Sequence, residues 1–460
     1  MIVFCIQAFL LLLVVLFLLY VFLEIRSVRK AKSATGVKLI AADVINEPLP
    51  EELLPNVSVL LPVYNEKLVV TKLIDAVCSL QYPVGKLEIL LLDDSTDETC
   101  KIAAARIEHH RKLGIPIYHA RRENRIGYKA GNLNFGLTLA HGDFIAIFDA
   151  DCLPPPDFLR KAMPYFSDEK VGFLQTGIRF SNRNASFLAR FQAIEAGHKE
   201  DVTRGLSNDG FMASLTGSSC VWRRICIESI GGISAETITE DVDMGYRAQL
   251  DSWKYVFLPD MFSWAELPET VGAFRVQRQR WARGLIHNAL RHVQSMFAAP
   301  MPLLSRLHAV SLMFSSLLLA CFYALLLLCL PMALQTDSLG LFFHISCTVF
   351  LFAAMAWAWC NINGMGASGS EVVPLWKKIG RAFGYVVMFF PISLYYFSAA
   401  VQVFVGINGS FHPTPKGSGR QKIFHPPVNS LLIFLEILSL AYALAALGIS
   451  LNEHNYWVTL

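Results

Sequence analysis

Residues Val57–Glu66 read VSVLLPVYNE. The apolar run Val57–Val63 stops at Tyr64-Asn65-Glu66, the pattern of a buried strand passing into a loop. A helical pattern follows to about Leu80. Further out, Leu87–Leu92 (LEILLL) repeats the arrangement and ends on Asp93-Asp94-Ser95-Thr96-Asp97, with a second helical pattern to about Leu113. Ile117–His119 is a third strand. Phe144–Phe148 (FIAIF) is a fourth, ending on Asp149-Ala150-Asp151. Strands alternating with helices predict an α/β domain whose mostly parallel central sheet is covered on both faces. Ligands of such sheets sit beyond the carboxyl ends of the strands. Both acidic clusters are therefore expected to face one crevice. No GxGxxG follows the first strand and no GxxxxGK[ST] occurs, so dinucleotide and P-loop readings lose their main support.

Outside this region the composition changes. The 460 residues are 54% hydrophobic and 17% charged, against about 25% charged in soluble domains. That argues against an ordinary soluble enzyme and against a disordered chain. A net charge of +3 gives no reason to expect a nucleic-acid partner. The ten cysteines form no CxxC pair, which suggests neither a zinc ribbon nor a disulfide framework.

The apolar excess is local. Residues 2–23 carry no charge and are long enough to cross a bilayer. A signal peptide has positive charge before its apolar run. Here Arg26, Arg29, Lys30 and Lys32 follow it, so residues 1–25 are expected to be a retained anchor with the following chain cytoplasmic. The soluble domain is expected over 40–270, amphipathic interface helices over 271–300, and two spans within 305–362 (307–333 and 341–362). A last span is expected over 428–450. The stretch 376–405 has basic residues at both ends (Lys377, Lys378, Arg381 and Lys416, Arg420, Lys422) and Pro391 within it. It is expected to lie in the membrane interface, with spanning as the alternative.

Four motifs carry chemistry. Asp149-Ala150-Asp151 offers two hard oxygen ligands at a strand end, suited to Mg²⁺ or Mn²⁺ beside a substrate phosphate; the bland alternative is a turn carboxylate. Thr239-Glu240-Asp241 opens a helix and reads either as a cap with acidic first-turn residues or as a general base near a cationic cleft. Gln277, Arg280 and Trp281 share a helix face. A Trp is a flat apolar platform for a sugar ring and an Arg binds phosphate, although a basic amphipathic helix at the membrane surface has the same composition. Asn124–Leu133 (NRIGYKAGNL) places Arg125 and Lys129 in a glycine-rich turn that suits a diphosphate or simply begins a helix.

Taken in order, LLPVYNE (with Leu60), DDSTD (93–97), NRIGYKAGNL (124–133), DAD (149–151), TGSS (216–219), TED (239–241) and QRQRW (277–281) resemble inverting family 2 glycosyltransferases. The resemblance is to the membrane-integrated, cellulose-synthase-like branch, and the motif forms look most like mannan and glucan synthase-like members. It covers about 55–300 and extends through VFVGINGSFHPTPK (403–416). It implies a GT-A-like fold with an α-helical transmembrane region. It also implies that Asp93 and Asp94 contact the donor nucleotide, with Lys129 and Asp149 at the diphosphate and Asp151 and Asp149 at the metal. Asp241 would deprotonate the acceptor. Gln277, Trp281 and Glu240 would form the acceptor end with Arg280, which also reaches the diphosphate. Residues 406–427 resemble the family's gating loop, with Phe411, Thr414 and Lys416 matching its F-x-V-T-x-K pattern and Pro413 in place of Val.

The expectation is an enzyme of a multi-pass cell (inner) membrane with a cytoplasmic catalytic domain. It would pass hexosyl units from UDP-glucose or GDP-mannose to a growing β-linked polysaccharide, with coupled export along a path lined by aromatics such as Trp357, Trp359, Tyr395 and Tyr396. Four spans would form the conduit alone, with a second copy of the chain, or with an accessory membrane subunit. The alternatives are single-sugar transfer to a lipid acceptor and, in another class, an inactive scaffold or transporter.

Overall fold

The computed structural model describes residues 2–33, 49–333, 338–363, 374–406 and 430–452. Helix α1 (Ile2–Ser33) precedes a domain in which strands and helices alternate. The order is β1 (Val57–Val63), α2 (Val70–Cys78), β2 (Leu87–Asp93), α3 (Thr99–Lys112), β3 (Ile117–Ala120), α4 (Tyr128–Leu139), β4 (Phe144–Ile147) and α5 (Phe158–Ala162). There follow β5 (Val171–Phe180), α6 (Phe187–Asp209), β6 (Cys220–Arg223), α7 (Arg224–Ser229), α8 (Glu240–Leu250), β7 (Lys254–Ala265) and α9 (Val271–Ala298). Four long helices close the chain: α10 (Leu303–Ala333), α11 (Ser338–Ile362), α12 (Leu375–Phe404) and α13 (Ser430–Asn452).

The seven strands form one sheet in the order β3-β2-β1-β4-β6-β5-β7. As the sequence implies, β1 runs parallel to β2 and β4, and β2 to β3. Strand β6 enters reversed between β4 and β5, and β7 returns parallel to β5. Alternation along β1 shows how both faces are covered. Val59 and Leu61 pack with Val70, Leu73, Ile74 and Val77 of α2, while Leu60 packs on the other face with Leu133 of α4, Leu206 of α6 and Met244 of α8. Each such buried side chain contributes about 1.5–3 kcal/mol of apolar burial.

Helices α6 and α9 join this domain to the apolar helices. Each begins at a capping hydroxyl: Ser186 Oγ accepts from Ala189 N–H (3.0 Å) and Thr270 Oγ1 from Ala273 N–H (3.2 Å). Phe191 of α6 and Phe274 of α9 enter a single apolar cluster with residues of α1, α10, α11 and α12. Along α1 the fastening is polar. Glu24 accepts from the Tyr20 hydroxyl (2.5 Å) and from Trp357 Nε1 (2.8 Å), and lies 2.9 Å from His198 Nε2 of α6. Gly205 of α6 meets the Ser27 carbonyl so closely that a Cβ there would fall 2.0 Å from the oxygen. Arg26 pairs with Asp209 at 2.6 Å. Trp357, expected to line a sugar path, is buried in this joint.

Among the described residues five helices are long and apolar enough to cross a membrane: Gln7–Lys32, Leu303–Leu328, Ile345–Ile362, Leu375–Phe404 and Ser430–Ile449. The expected anchor is longer than its uncharged core, so Glu24 lies on the helix rather than beyond it. The region expected to lie in the interface is one continuous helix of 30 residues, which by length and composition joins the candidate spans. The expected amphipathic helices of 271–300 are a single helix, α9.

Candidate active site

The carboxyl ends of the first strands build the site. Val63 and Asp93 are register partners, so the loops after β1 and β2 leave side by side and interlock. Thr96 N–H donates to Asn65 Oδ1 (2.8 Å) and Asn65 N–H to Ser95 Oγ (2.9 Å). Asp93 turns inward: Ser95 N–H donates to its Oδ1 and His119 Nε2 lies 2.8 Å from its Oδ2. Burial would raise its pKa, but the hydrogen bonds from His119 and Ser95 outweigh burial and hold it below the ordinary range. The carboxylate of Asp93 is fully enclosed, so it stands behind the crevice wall rather than meeting a nucleotide directly. Asp94 receives a two-pronged clamp from Arg122, Nε to Oδ1 at 2.8 Å and Nη2 to Oδ2 at 2.6 Å. Arg122 also donates to the carbonyls of Ile126 and Tyr128 and so ties the β2 tip to the start of α4.

At that start, Gly127 and Tyr128 adopt left-handed φ values of 74° and 50°. The sharp turn brings Lys129 over the β4 tip. Its ammonium lies 2.8 Å from Asp149 Oδ1 and 3.1 Å from Glu240 Oε1, and it donates to the Gly217 carbonyl at 3.3 Å. Burial works against its charge, yet Asp149, Glu240 and Asp241 together hold its pKa well above the ordinary lysine range. Lys129 is thus the hub of an acidic cluster.

The TGSS turn braces the cluster from behind. Ser218 Oγ accepts from Asp149 N–H (2.9 Å), and Gln175 Nε2 donates to the Ser218 carbonyl (2.9 Å). Ser219 Oγ lies 2.5 Å from both Thr176 Oγ1 and Ser263 Oγ. Gly217, at φ 74°, lies against Asp241: a Cβ there would fall 2.5 Å from Asp241 Oδ2. Gly217→Ala is therefore expected to displace Asp241. Misplacement on the scale of an ångström costs about 10²-fold in rate. The expected result is a loss of that order together with a lowered melting temperature, because alanine is strained at this left-handed φ, read by turnover and thermal denaturation.

Glu240 and Asp241 open α8. Thr239 precedes them at the cap position but forms no side-chain cap; its hydroxyl instead accepts from Asn288 Nδ2 of α9 at 2.9 Å. Gly284 allows that approach, since a Cβ there would fall 2.4 Å from Thr239. Asp243 lies 2.8 Å from His292 Nε2 of α9. The helix carrying QRQRW is thereby locked to the helix carrying Asp241. Burial first, then Glu240, push the Asp241 carboxyl up to about 6, against the opposing pull of Lys129 and Lys199. Arg280 lies within electrostatic reach of Glu240, Asp149, Asp241 and Glu66, although burial weighs more heavily and lowers its pKa. Gln277 is buried, and Trp281 is 40% exposed.

The structure therefore gathers Lys129, Asp149, Glu240, Asp241 and Arg280. Asp151 lines a small adjoining cavity with Lys72, Ser181, Trp264 and Glu266. Among the described residues no group of three or more His, Cys, Asp or Glu forms a complete metal cage. A pair of carboxylates at a strand tip nevertheless fits Mg²⁺ or Mn²⁺, which take one or two protein carboxylates and complete their shell with water and substrate phosphate. Phe411, Thr414 and Lys416 lie outside the described residues. Sequence reasoning missed Arg122, although the basic pair Arg121-Arg122 after the third strand is visible. It also missed the Glu195–Arg278 pair. Arg278 stands 5.1 Å from the centre of the Trp281 ring, a partnership that only the fold reveals.

A GT-A-like domain joined to several long apolar helices defines the class of the protein. The chain belongs to the glycosyltransferase-like family 2, whose family model matches residues 55–284. It is 37% identical over 246 residues to glucomannan 4-beta-mannosyltransferase 2 of Arabidopsis thaliana, covering 52% of this chain and 46% of that protein. It is 36% identical over 255 residues to glucomannan 4-beta-mannosyltransferase 1 of Oryza sativa subsp. japonica, covering 52% and 48%. The match thus spans about half the length of these curated relatives. Among solved structures, a mannosyltransferase from Pyrobaculum calidifontis in complex with GDP-Man and Mn²⁺ shares the fold with a TM-score of 0.58. That likeness is at 19% identity and covers 87% of this chain and 99% of that one.

Proposed function

We propose that the protein is an inverting hexosyltransferase that extends a β-linked polysaccharide at the cytoplasmic face of a membrane. The donor is a nucleotide sugar, GDP-mannose before UDP-glucose. The curated relatives are named as mannosyltransferases, and the fold neighbour was solved with GDP-Man and Mn²⁺. The observation that carries the reading is the convergence of Asp149, Lys129, Glu240 and Asp241 at the carboxyl end of the sheet. Basic residues after the first apolar run support a cytoplasmic catalytic domain.

In this reading Asp241 takes the proton of an acceptor hydroxyl as its oxygen attacks the anomeric carbon. One displacement converts an α-linked donor into a β-glycoside, and no covalent enzyme intermediate is needed. Lys129 holds Asp149 and Glu240 in place. Arg280 faces the departing diphosphate, and Trp281 supports the terminal acceptor sugar. A divalent cation held by Asp149 and Asp151, when bound, would neutralise diphosphate charge. The polymer is extended processively and passed toward the apolar helices.

A donor screen on the purified full chain in Mg²⁺ or Mn²⁺ tests the proposal. Nucleoside diphosphate release and long β-linked chains from GDP-mannose or UDP-glucose are expected. Single-sugar products on lipid would move the assignment to the non-processive reading, and the absence of release from any donor would remove the enzymatic one.

A further inference from the structure

Helix α6 carries Glu195 and Lys199 one turn apart, on one face. Glu195 is held by Arg278, whose guanidinium stands beside Trp281, so this face of α6 addresses the acceptor side of the site. Lys199 is exposed to solvent, yet burial pulls its pKa below the ordinary lysine range, ahead of the opposing pull of Asp241 and Glu195. Asp241 and Glu195 attract its charge and Arg278 repels it, which puts Lys199 within electrostatic reach of the candidate base and of the Glu195–Arg278 pair beside the tryptophan.

Other cations of the site have carboxylate partners: Lys129 on Asp149 and Glu240, Arg122 on Asp94, Arg278 on Glu195. Among the described residues the Lys199 ammonium has no hydrogen bond or ion pair. An ammonium that solvent reaches and no protein group pairs with is free to donate to a ligand supplying oxygen acceptors. Asp241 and Glu195 within reach of Lys199 disfavour an anionic ligand and favour a neutral polyol.

Resting on the transferase reading, we propose that Lys199 is an acceptor-binding residue. Its ammonium donates to hydroxyl oxygens of the terminal acceptor sugar lying on Trp281, and so turns the attacking hydroxyl toward Asp241. A hydrogen bond from a charged group is worth about tenfold or more in affinity.

The test uses the full chain in detergent, with GDP-mannose and UDP-glucose each as donor and mannotetraose or cellotetraose as soluble acceptor. Lys199→Met is expected to raise the acceptor KM about tenfold or more and leave the donor KM within about twofold. Lys199→Arg, which keeps charge and donors, is expected to recover most of the loss. A wild-type acceptor KM in Lys199→Met overturns the proposal. So does an equal rise in donor and acceptor KM that Lys199→Arg does not repair, because that marks a structural role. Wild type assayed in parallel separates the two levels: a wild type inactive with both donors removes the transferase reading and Lys199 with it. An active wild type with an indifferent Lys199→Met removes only Lys199.

Discussion

Asp241→Asn is expected to reduce hexosyl transfer by about 10²–10⁴-fold, the usual contribution of a positioned general base, while donor affinity stays within about twofold. The amide keeps the shape that fits against Gly217 but accepts no proton. Because burial, reinforced by Glu240, lifts the Asp241 carboxyl to about 6, the sign of the pH dependence follows. A base must be ionised, so kcat/KM is expected to fall as pH drops through about 6 and to level off above it. An unperturbed carboxylate would hold the rate down to about pH 4. Near-normal turnover in Asp241→Asn, with donor binding measured by calorimetry, would remove Asp241 from the mechanism.

Lys129→Met is expected to have the second largest effect, this time on both stability and rate. Removing the ammonium takes from Asp149 and Glu240 their ion pairs with it and leaves Arg280 to offset them, with Asp241 nearby. Breaking a buried pair from one side costs about 3–5 kcal/mol, and the partial exposure of Asp149 places the expected loss below that range. Lys129 also pulls the Asp241 pKa down, so the acidic limb of the rate profile is expected to move to higher pH in this variant. Thermal denaturation and a pH–rate profile on the same preparation check the two effects. A variant with wild-type stability and an unmoved limb would show that Lys129 is not the hub.

The strands were legible where burial on both faces writes an unbroken apolar run, as in Val57–Val63 and Leu87–Leu92. Strand β6 was not, because the four residues Cys220–Arg223 are too few to show a period and their place between β4 and β5 is a tertiary fact. The acidic motifs were legible as chemistry, while their partners were not. Lys129 reads as a phosphate ligand beside glycines, but the fold spends its charge on Asp149 and Glu240. Asp93 reads like its neighbour Asp94, yet alternation along β2 turns it inward to His119. Glu24 sits at the polar edge of an apolar run and looks like the end of an anchor, until α6 and α11 bring His198 and Trp357 to it. Lys199 carries no motif, and only the Glu195–Arg278 pair that ties α6 to α9 brings its helix face toward the acceptor side of the site.

The central claim is that Lys129, Asp149, Glu240, Asp241 and Arg280 form one centre for a single displacement at an anomeric carbon. Time-resolved proton NMR of the product formed by the purified full chain from an α-linked nucleotide sugar tests it most directly. The account predicts that the first anomeric signal to appear belongs to a β-linkage, together with nucleoside diphosphate. A first-formed α-linkage would contradict it.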